Sequence, residues 1–542
     1  MKLNYKRTIY VGFAFFLICA FWQAYDNTIP LILTNKFGMS QTLSGAIMAL
    51  DNILALFMLP LFGALSDKSK SPKGRRTPFI IFGTIVAAIA FILLSIVDGM
   101  QLSQISDVSK IDDPAALVKI YEEKKDANLI TPDGDSFVLS EKYTEDQFSK
   151  ITSTIPSGNS SGNPTITNPE YTNYVVPARQ AVISDITSAH PRNLVFFIIL
   201  LLVTLVAMST FRSPAVALMP DVTIKPLRSK ANAVINLMGA VGGIIVLALG
   251  IVFGTSALKN SYMSYTIYFS VIAAVMLLAL LIFKLKVDEP RFVVEMHEES
   301  LRHGLTDWDQ SAEDTNAQGD GSRQKSNSDY AHSDKSKSRK LTTEEKRSMI
   351  LILASIVLWF MGYNAVTSKY SVYASTILHK DYNLTLIIAQ VAAIISYLPV
   401  GIIASKIGRK KTILGGIVML TAAFGVAATM RSDSPTLLMN CLFALAGIGW
   451  ATINVNSFPM VVEMCSDSDV GKFTGFYYTA SMAAQVITPV FSGFLMDKMG
   501  MTALFPYATI FAAAAILTMI GVKHGDSRPD AKKGLEALNV ED

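Results

Sequence analysis

The chain has 542 residues, of which 51% are hydrophobic and 17% are charged, and its mean hydropathy is +0.38. This composition excludes an ordinary soluble globular protein. The formal net charge is +4, and its basic residues collect in short loops between apolar segments, so the charge indicates membrane topology and not a nucleic-acid partner. The three cysteines provide neither a disulfide framework nor the spacing of metal ligands, and we predict no metal and no cofactor.

Twelve long apolar segments predict an all-α membrane protein. A helix needs about 20 apolar residues to cross a hydrocarbon core of about 30 Å. The first segment resembles a signal peptide in following basic residues, but it is too long and lacks a small-residue cleavage site before Asp26, so we predict a retained helix. The predicted spans cover residues 9–33, 42–66, 77–98, 194–219, 232–255, 262–284, 347–370, 384–405, 411–430, 436–462, 472–495 and 503–522.

Basic residues are concentrated in alternate loops, which predicts that both termini are cytoplasmic. The opposite loops, after spans 1, 5 and 9, contain only Lys36, Lys259 and Arg431. The loop after span 10 is acidic and disagrees, but acidic residues contribute little to this rule. The predicted cytoplasmic segments contain Lys2, Lys6, Arg7, Lys68, Lys70, Lys73, Arg75, Arg76, Lys225, Arg228, Lys230, Lys406, Arg409, Lys410 and Lys411.

Two long hydrophilic segments interrupt the spans. Residues 99–192 are acidic and predict an extracytoplasmic insert with a helix over 114–126, either a small folded cap or a flexible segment. Residues 286–346 predict a cytoplasmic linker that begins with an amphipathic helix, PRFVVEMHEESL, and is disordered from 311 to 340. The predicted domains are an amino-terminal six-helix bundle containing the insert (1–285), the linker (286–346), a carboxy-terminal six-helix bundle (347–522) and a cytoplasmic tail (523–542).

The two predicted bundles repeat each other. The loop GALSDKSKSPKGRR, which begins at Gly63, has a counterpart GIIASKIGRKK at Gly401, 338 positions later. Tyr25 and Tyr363 are also 338 positions apart. Parallel repeats of this kind place a substrate site near the membrane midplane between the halves.

Over nearly its whole length the chain resembles the major facilitator superfamily. The segments GALSDKSKSPKGRRTPFI and FRSPAVALMPDVTIKPLRSKANAV are similar to those of the sucrose-transporter-like solute carriers and of the glycoside–pentoside–hexuronide:cation symporters. The resemblance implies the major facilitator fold and a sugar or glycoside that moves together with a proton or a sodium ion.

The first loop also predicts a cytoplasmic gate made of charges that pair in one conformation and separate in another. Asp67 has no acidic counterpart in the second half, where Ser405 stands in its place. The alternative is that Arg75 and Arg76 only anchor the loop at the cytoplasmic face. The candidate gating residues are Gly63, Asp67, Gly74, Arg75, Arg76 and Asp221.

Charged residues inside the spans are candidates for ion coupling, because a charge in a membrane helix costs at least about 2.5 kcal/mol and needs a partner or a function. Asp26 and Asp51 lie about 10 Å and about 13 Å from the outer boundary, and Arg212 lies about 12 Å above the inner one. Neighbouring carboxylates favour protonation and a nearby guanidinium opposes it. The alternative is a fixed salt bridge from Arg212 to one carboxylate. The matching positions of the second half, Asn364 and Ala389, are neutral.

Aromatic and amide side chains at mid-depth predict a polar cleft suited to hydroxyl groups. Hydrogen bonding between helices is the alternative for each residue. Lys369 is predicted to extend to the membrane interface. The candidate substrate-binding residues are Trp22, Gln23, Tyr25, Asn27, Asn52, Tyr363, Asn364, Gln390, Asn454, Asn456 and Gln485.

The sequence therefore predicts a monomeric secondary transporter of the plasma membrane that moves a sugar with a proton, or alternatively with sodium. A transporter of the same fold for a drug or an organic anion, by antiport, is a second hypothesis, and a membrane sensor is a third. Phosphate-binding, zinc-protease and serine-hydrolase motifs are absent from the sequence, so we predict that the protein is not an enzyme.

Overall fold

The computed structural model describes residues 3–156, 165–224, 227–303, 342–462, 464 and 470–524. Within these ranges the chain is nearly all helical, and eleven helices are long and apolar enough to cross a membrane. The eighth predicted span corresponds to a further helix, which contains a shorter apolar stretch over Tyr382–Tyr397. The prediction of an all-α membrane fold is confirmed.

Seven helices and the insert precede the linker, because α2 and α3 share the second span. The helices nearest the amino terminus are α1 (Tyr5–Leu31, continued by a π-helical turn, Ile32–Lys36), α2 (Gln41–Met48), α3 (Leu50–Asp67) and α4 (Thr77–Gln104). The insert contains α5 (Ser106–Ser109), α6 (Pro114–Lys124), β1 (Leu129–Ile130), β2 (Ser136–Phe137), α7 (Leu139–Lys142), α8 (Glu145–Ser149), β3 (Thr154–Pro156), β4 (Thr165–Thr167), a π-helical turn (Tyr171–Val175) and α9 (Val176–Ala189). Three more long helices follow, α10 (Arg192–Asp221), α11 (Arg228–Phe253) and α12 (Thr266–Lys286), with a 3₁₀ turn at Leu258–Asn260 before α12.

The linker and the second half complete the chain. The predicted amphipathic helix is present as α13 (Glu289–Arg302), and the predicted disorder at 311–340 lies outside the described residues, as does the tail from 525 onward. The second half consists of α14 (Thr343–Tyr373, continued by a π-helical turn, Ala374–Leu378), α15 (Tyr382–Ile407), α16 (Arg409–Ala427), α17 (Thr436–Val462), α18 (Val470–Met499), a 3₁₀ turn (Met501–Ala503) and α19 (Leu504–Ile520).

Each half has its own apolar core. One core extends from Val11 to Val287 and the other from Met349 to Val522, with Leu31 of α1 joining the second. These cores agree with two bundles, while the exact domain boundaries stay predictions. We call the membrane face that carries the insert the insert side and the face that carries α13 the linker side; their assignment to the outside and the cytoplasm also stays a prediction.

The third span is longer than predicted because a buried ion pair neutralises the residue taken as its end. Asp98 is fully buried, and Lys36 Nζ donates to both of its carboxylate oxygens at 2.6 and 2.7 Å. The same ammonium donates to the Met263 carbonyl at 2.6 Å. A paired charge is compatible with a buried helix, so α4 continues to Gln104.

The insert is a folded unit and not a flexible segment in its described part. Its apolar core contains Leu117, Ile120, Phe148 and Val182. The two short hairpins pair antiparallel, β1 with β2 and β3 with β4. The predicted helix over 114–126 is confirmed as α6, whereas residues 157–164 of the turn-rich stretch lie outside the described residues.

The two halves meet closely on the insert side. A methyl group added at Gly45 of α2 would lie 2.0 Å from the Pro489 carbonyl of α18, so the two backbones are in direct contact. Asp497 of α18 accepts hydrogen bonds from the Gln41 and Thr42 amides at 2.7 and 2.8 Å, which caps the amino terminus of α2 across the interface. The Thr255 hydroxyl, just after α11, accepts a hydrogen bond from Asn383 Nδ2 at 3.1 Å and is hydrogen-bonded to the Tyr382 hydroxyl at 2.7 Å, which joins α11 to α15 nearby. These contacts close the insert side.

Candidate substrate and ion-coupling site

Asp26 and Asp51 form a carboxylate pair in the first half. Asp26 lies one turn after Trp22 on α1, so both side chains occupy the same helix face. The short break at Ala49 separates α2 from α3 and places Asp51 in the first turn of α3, where the helix dipole favours an acidic side chain. The two carboxylates interact electrostatically with each other, and each interacts with Arg212 of α10.

Arg212 is not fixed in a salt bridge with either carboxylate. Its guanidinium lies over the Trp22 ring, 5.6 Å from the ring centroid. Asp51 instead accepts a hydrogen bond from the adjacent Asn52 side chain at 2.8 Å. This arrangement argues against the fixed-salt-bridge alternative, because the charges interact through space without a direct contact.

A pair of glutamine side chains, one from each half, meets beside α11. A methyl group at Gly243 would lie 3.2 Å from Gln390 Nε2 and 3.3 Å from Gln23 Oε1. The side-chain oxygen of Gln390, Oε1, is buried and has no hydrogen-bond partner among the described residues. The predicted residues Gln23 and Gln390 are therefore brought together, and Gly243, which the sequence did not single out, provides the space for them.

The second half contributes an aromatic platform formed by Tyr363 and Trp450. Their rings stack with centroids 3.7 Å apart and an interplanar angle of 2°. Phe360 meets the Trp450 ring edge-on at 5.1 Å. Trp450 was missed in the sequence because only the amides of its helix were considered; a tryptophan in mid-span was the available signal.

Several polar atoms at this depth are buried without a partner in the described part of the chain. They include Trp22 Nε1 and the Tyr25 hydroxyl in α1 and Asn364 Nδ2 in α14. Buried polar groups are normally hydrogen-bonded, so these unpartnered atoms are candidates for contacts with a polar ligand.

The other candidate amides are less informative. Asn27 donates to the Gln23 carbonyl at 2.7 Å and Asn456 to the Thr452 carbonyl at 2.9 Å, so both side chains bond within their own helices. Asn454 and Gln485 are half-buried on α17 and α18. These bonds favour a structural role for Asn27 and Asn456, while the substrate-binding roles of all the candidates stay predictions.

The prediction that Lys369 extends to the membrane interface is wrong. Its side chain is fully buried, and Nζ donates to the Gln41 carbonyl at 2.6 Å. Asp497 lies close enough to interact electrostatically. The lysine therefore belongs to the contact between the halves, because α18 and α2 cover it on the insert side.

The candidate gating residues converge on the linker side around Arg76. Its Nε donates to Asp221 at 2.8 Å, and its guanidinium also pairs with Asp67. Burial by itself lowers the pKa of Arg76, but the two carboxylates outweigh it and the pKa is raised. Arg75 is 45% exposed and only approaches Asp221, at 3.8 Å. The anchoring alternative therefore suits Arg75 better than Arg76.

A residue missed in the sequence, Glu289 of α13, holds this loop from the linker. Its carboxylate accepts hydrogen bonds from the Arg76 amide at 2.9 and 3.0 Å and from the Thr77 amide and hydroxyl at 2.7 and 2.8 Å. Gly74 has a φ of +103°, and a methyl group there would lie 2.3 Å from the Glu289 carboxylate. At Gly63 a methyl group would lie 2.9 Å from Ser213 Oγ of α10. Both predicted glycines thus stand where a side chain is strained or crowded.

Comparison with known proteins defines the class. Residues 13–507 match the family described as the MFS_1 like family, and the chain belongs to it. Two fungal MFS-type transporters named ppzB are similar over 122 residues, at 26% identity in Metarhizium rileyi and 28% in Metarhizium majus. The match covers 22% of this chain and about a quarter of each relative's length (25% and 26%).

Solved structures show the same fold. The inward-open xylose transporter XylE from E. coli is similar with a TM-score of 0.55 at 14% identity, and covers 98% of both chains. A bacterial homologue of the iron transporter ferroportin, in an inward-facing state, gives a TM-score of 0.55 at 11% identity, over 96% of this chain and 99% of that one. A D-xylose-proton symporter gives 0.52 at 14% identity, over 95% and 97%. The major facilitator prediction is confirmed: the chain belongs to this family of membrane transporters by its family match and has their fold.

Proposed function

We propose that the protein is a secondary active transporter that moves a sugar or glycoside together with a proton by alternating access. The observation that carries the proposal is that Gln23, on the helix that carries Asp26, meets Gln390 of the second half, whose helices also carry the aromatic platform and the unpartnered Asn364. In this proposal the first half carries the ion and the second half contributes most of the sugar contacts.

The charges support ion coupling. Two ionised carboxylates and one guanidinium leave one negative charge uncompensated in a low-dielectric environment. Uptake of one proton by the carboxylate pair neutralises this excess, which makes rearrangement of the bundles less costly. Sodium would do the same electrostatically, and the experiment below distinguishes the two ions.

The second half supports a sugar as the substrate. A sugar has weakly polar ring faces and a rim of hydroxyl groups, which an aromatic platform bordered by amides can accommodate. Asn364 offers an unpartnered donor and Gln390 an unpartnered acceptor. The xylose transporters among the similar structures are consistent with this substrate class, but the iron-transporter homologue has the same TM-score, so the proposal depends on the site and not on the fold.

The proposed arrangement in the membrane follows from the sequence. We assign the linker side to the cytoplasm from the basic loops, and we propose the plasma membrane as the location. Residues 1–285 and 347–522 are proposed as the two units that move, joined by the linker 286–346. The contacts that close the insert side then correspond to a conformation closed toward the outside.

The test compares uphill accumulation with exchange in proteoliposomes. A thermal-shift screen of mono- and disaccharides, with and without sodium, first selects a sugar. Asp26→Asn and Asp51→Asn are expected to lose accumulation driven by a pH gradient while they keep counterflow exchange. Asp433→Asn, which changes an exposed carboxylate in a loop on the insert side, is the matched control.

The outcomes separate the parts of the proposal. If both variants still concentrate the sugar under a pH gradient, the coupling assignment is wrong. Accumulation driven by a sodium gradient alone would replace the proton with sodium. Stabilisation by an organic anion or a drug, with no response to any sugar, would favour the other substrate classes.

A further inference from the structure

The insert makes direct contact with the second half of the transporter. The turn between β1 and β2 presents the Pro132 carbonyl, which accepts a hydrogen bond from the Met501 amide at 2.7 Å. Gly134 has a φ of +101° and Gly500 a φ of +92°. A methyl group on Gly134 would lie 2.5 Å from the Met499 carbonyl, and one on Gly500 would lie 2.5 Å from the backbone of Asp133. The two turns therefore touch backbone to backbone, and glycine permits both the conformation and the approach.

A second contact joins the insert to the loop after α14. His379 Nε2 lies 3.2 Å from the Thr172 hydroxyl, and His379 Nδ1 lies 3.1 Å from the Ser375 carbonyl. A carbonyl can only accept, so Nδ1 carries the hydrogen. In the neutral ring Nε2 then accepts from the Thr172 hydroxyl, whose single hydrogen is shared with the Asn168 carbonyl at 3.3 Å. His379 has a φ of +50°, directly after the π-helical turn Ala374–Leu378. We call these two contacts, Pro132 with Met501 and Thr172 with His379, the latch.

The insert is held firmly to the first half. Gln101 of α4 donates to the Lys36 carbonyl at 2.9 Å and to the Thr187 hydroxyl of α9 at 3.1 Å. A methyl group at Gly38 would lie 2.4 Å from the Ser184 amide, so α9 packs directly on the loop after α1. The insert therefore moves with the first half, and the latch connects two units that alternating access must separate.

The latch joins the same helices that close the insert side directly. Met499 lies two residues beyond Asp497 on α18, and His379 follows the helix that carries Lys369. We propose that the insert is a built-in latch that stabilises the conformation closed on the insert side and has to release before the halves separate there. The proposal rests on alternating access, and goes beyond it by giving the insert a role in setting the balance between conformations.

The test measures the separation of the halves without using a substrate. Spin labels on Lys259→Cys and Asp433→Cys, in a background without the native cysteines, report the distance between exposed loops of the two halves on the insert side. Thr172→Val removes the hydroxyl and keeps the side-chain shape. One neutral hydrogen bond corresponds to about a fivefold change in an equilibrium. Thr172→Val and His379→Asn are each expected to raise the ratio of open to closed protein about fivefold. Thr167→Val in β4 is the matched control.

A second measurement covers the backbone contact. A short thiol cross-linker between Asp133→Cys and Met501→Cys is expected to remove the long-distance population and to stop counterflow. Full counterflow by the cross-linked protein would overturn the latch.

A further variant, Asp497→Asn, weakens the direct closure of α2 on α18 and separates the two ways in which the inference can fail. If it shifts the distances while Thr172→Val and His379→Asn do not, the latch is wrong and alternating access stands. If none of these variants changes the distances, both the latch and alternating access on this side are contradicted.

Discussion

The carboxylate of Glu289 allows a quantitative prediction about the gate. Glu289 is 2% exposed, and it accepts hydrogen bonds from two backbone amides and one hydroxyl at the amino terminus of α4. Glu289→Gln keeps the size of the side chain and removes its charge. A hydrogen bond to a charged group is worth about 1 kcal/mol more than a neutral one, and the helix dipole adds about 0.5–1 kcal/mol. With two amides affected, the expected loss is about 2.5–3 kcal/mol.

Hydrogen exchange measured by mass spectrometry provides the assay. A loss of about 2.5 kcal/mol corresponds to about a seventyfold faster exchange of the amides that Glu289 holds, those of Arg76 and Thr77. Glu298→Gln is the matched control, because it makes the same substitution on an exposed carboxylate of α13. We expect the exchange to rise in peptides covering 68–80 and not in α16, which contains the corresponding position of the second half.

The reasoning would be refuted by equal exchange in the two variants. In that case the Glu289 carboxylate would not hold the loop in solution, and α13 would be only a connection between the halves. A uniform rise in exchange across both halves would also contradict it, because the structure confines the effect to the loop and the start of α4.

The remaining predictions concern the substrate platform, the closure of the insert side and the latch. Trp450→Ala removes one ring of the stack with Tyr363, so it is expected to weaken sugar affinity about tenfold and to leave pH-driven coupling intact. Trp450→Phe is expected to rescue the affinity partly. Equilibrium titration measures the affinity, and an unchanged value for Trp450→Ala would contradict the prediction. Gly45→Ala is expected to destabilise the closed conformation by more than about 1 kcal/mol, measured from the populations of the spin-label distances. Gly99→Ala is expected to have no such effect, because a methyl group there meets nothing within 4 Å. Burial, with a smaller contribution from Lys380, lowers the pKa of His379 from 6.5 to about 4. The latched state binds fewer protons than a state in which His379 is exposed, so its stability is complete above pH 6.5 and falls as the pH decreases toward 4. His379→Asn should remove this dependence from the population of closed protein; an unchanged pH profile would contradict the assignment.

The first loop shows which site residues can be predicted from a short stretch of sequence. Gly63, Gly74, Arg76 and Asp221 were all singled out from the sequence, and all four lie together on the linker side. Gly63, Gly74 and Arg76 belong to one short stretch of sequence, and Asp221 ends a span on the same predicted side of the membrane. Glu289 was missed, because it lies more than 200 positions from the loop and only the packing of α13 brings it there.

The central site also contains residues that the sequence could identify and residues that it could not. Asp26, Asp51 and Arg212 could be selected because a charge inside an apolar span stands out in any sequence. Gly243 could not be ranked above other glycines, since its importance comes from the Gln23 and Gln390 side chains that meet beside it. Trp450 was visible as a mid-span tryptophan, but only the packing of α17 on α14 shows that it stacks on Tyr363. The burial of Lys369 was likewise invisible, because α2 and α18 cover it from distant parts of the chain.

The sequence by itself determined the class of protein, the apolar spans, the internal repeat and the place of the insert. Apolar length, basic loops and repeated motifs are properties of short stretches, and the bilayer imposes them directly on each helix. The tertiary structure decided which side is closed, how the insert reaches Met501 and His379, and which polar atoms lack a partner. These features depend on contacts between residues hundreds of positions apart, which packing fixes and local pattern does not.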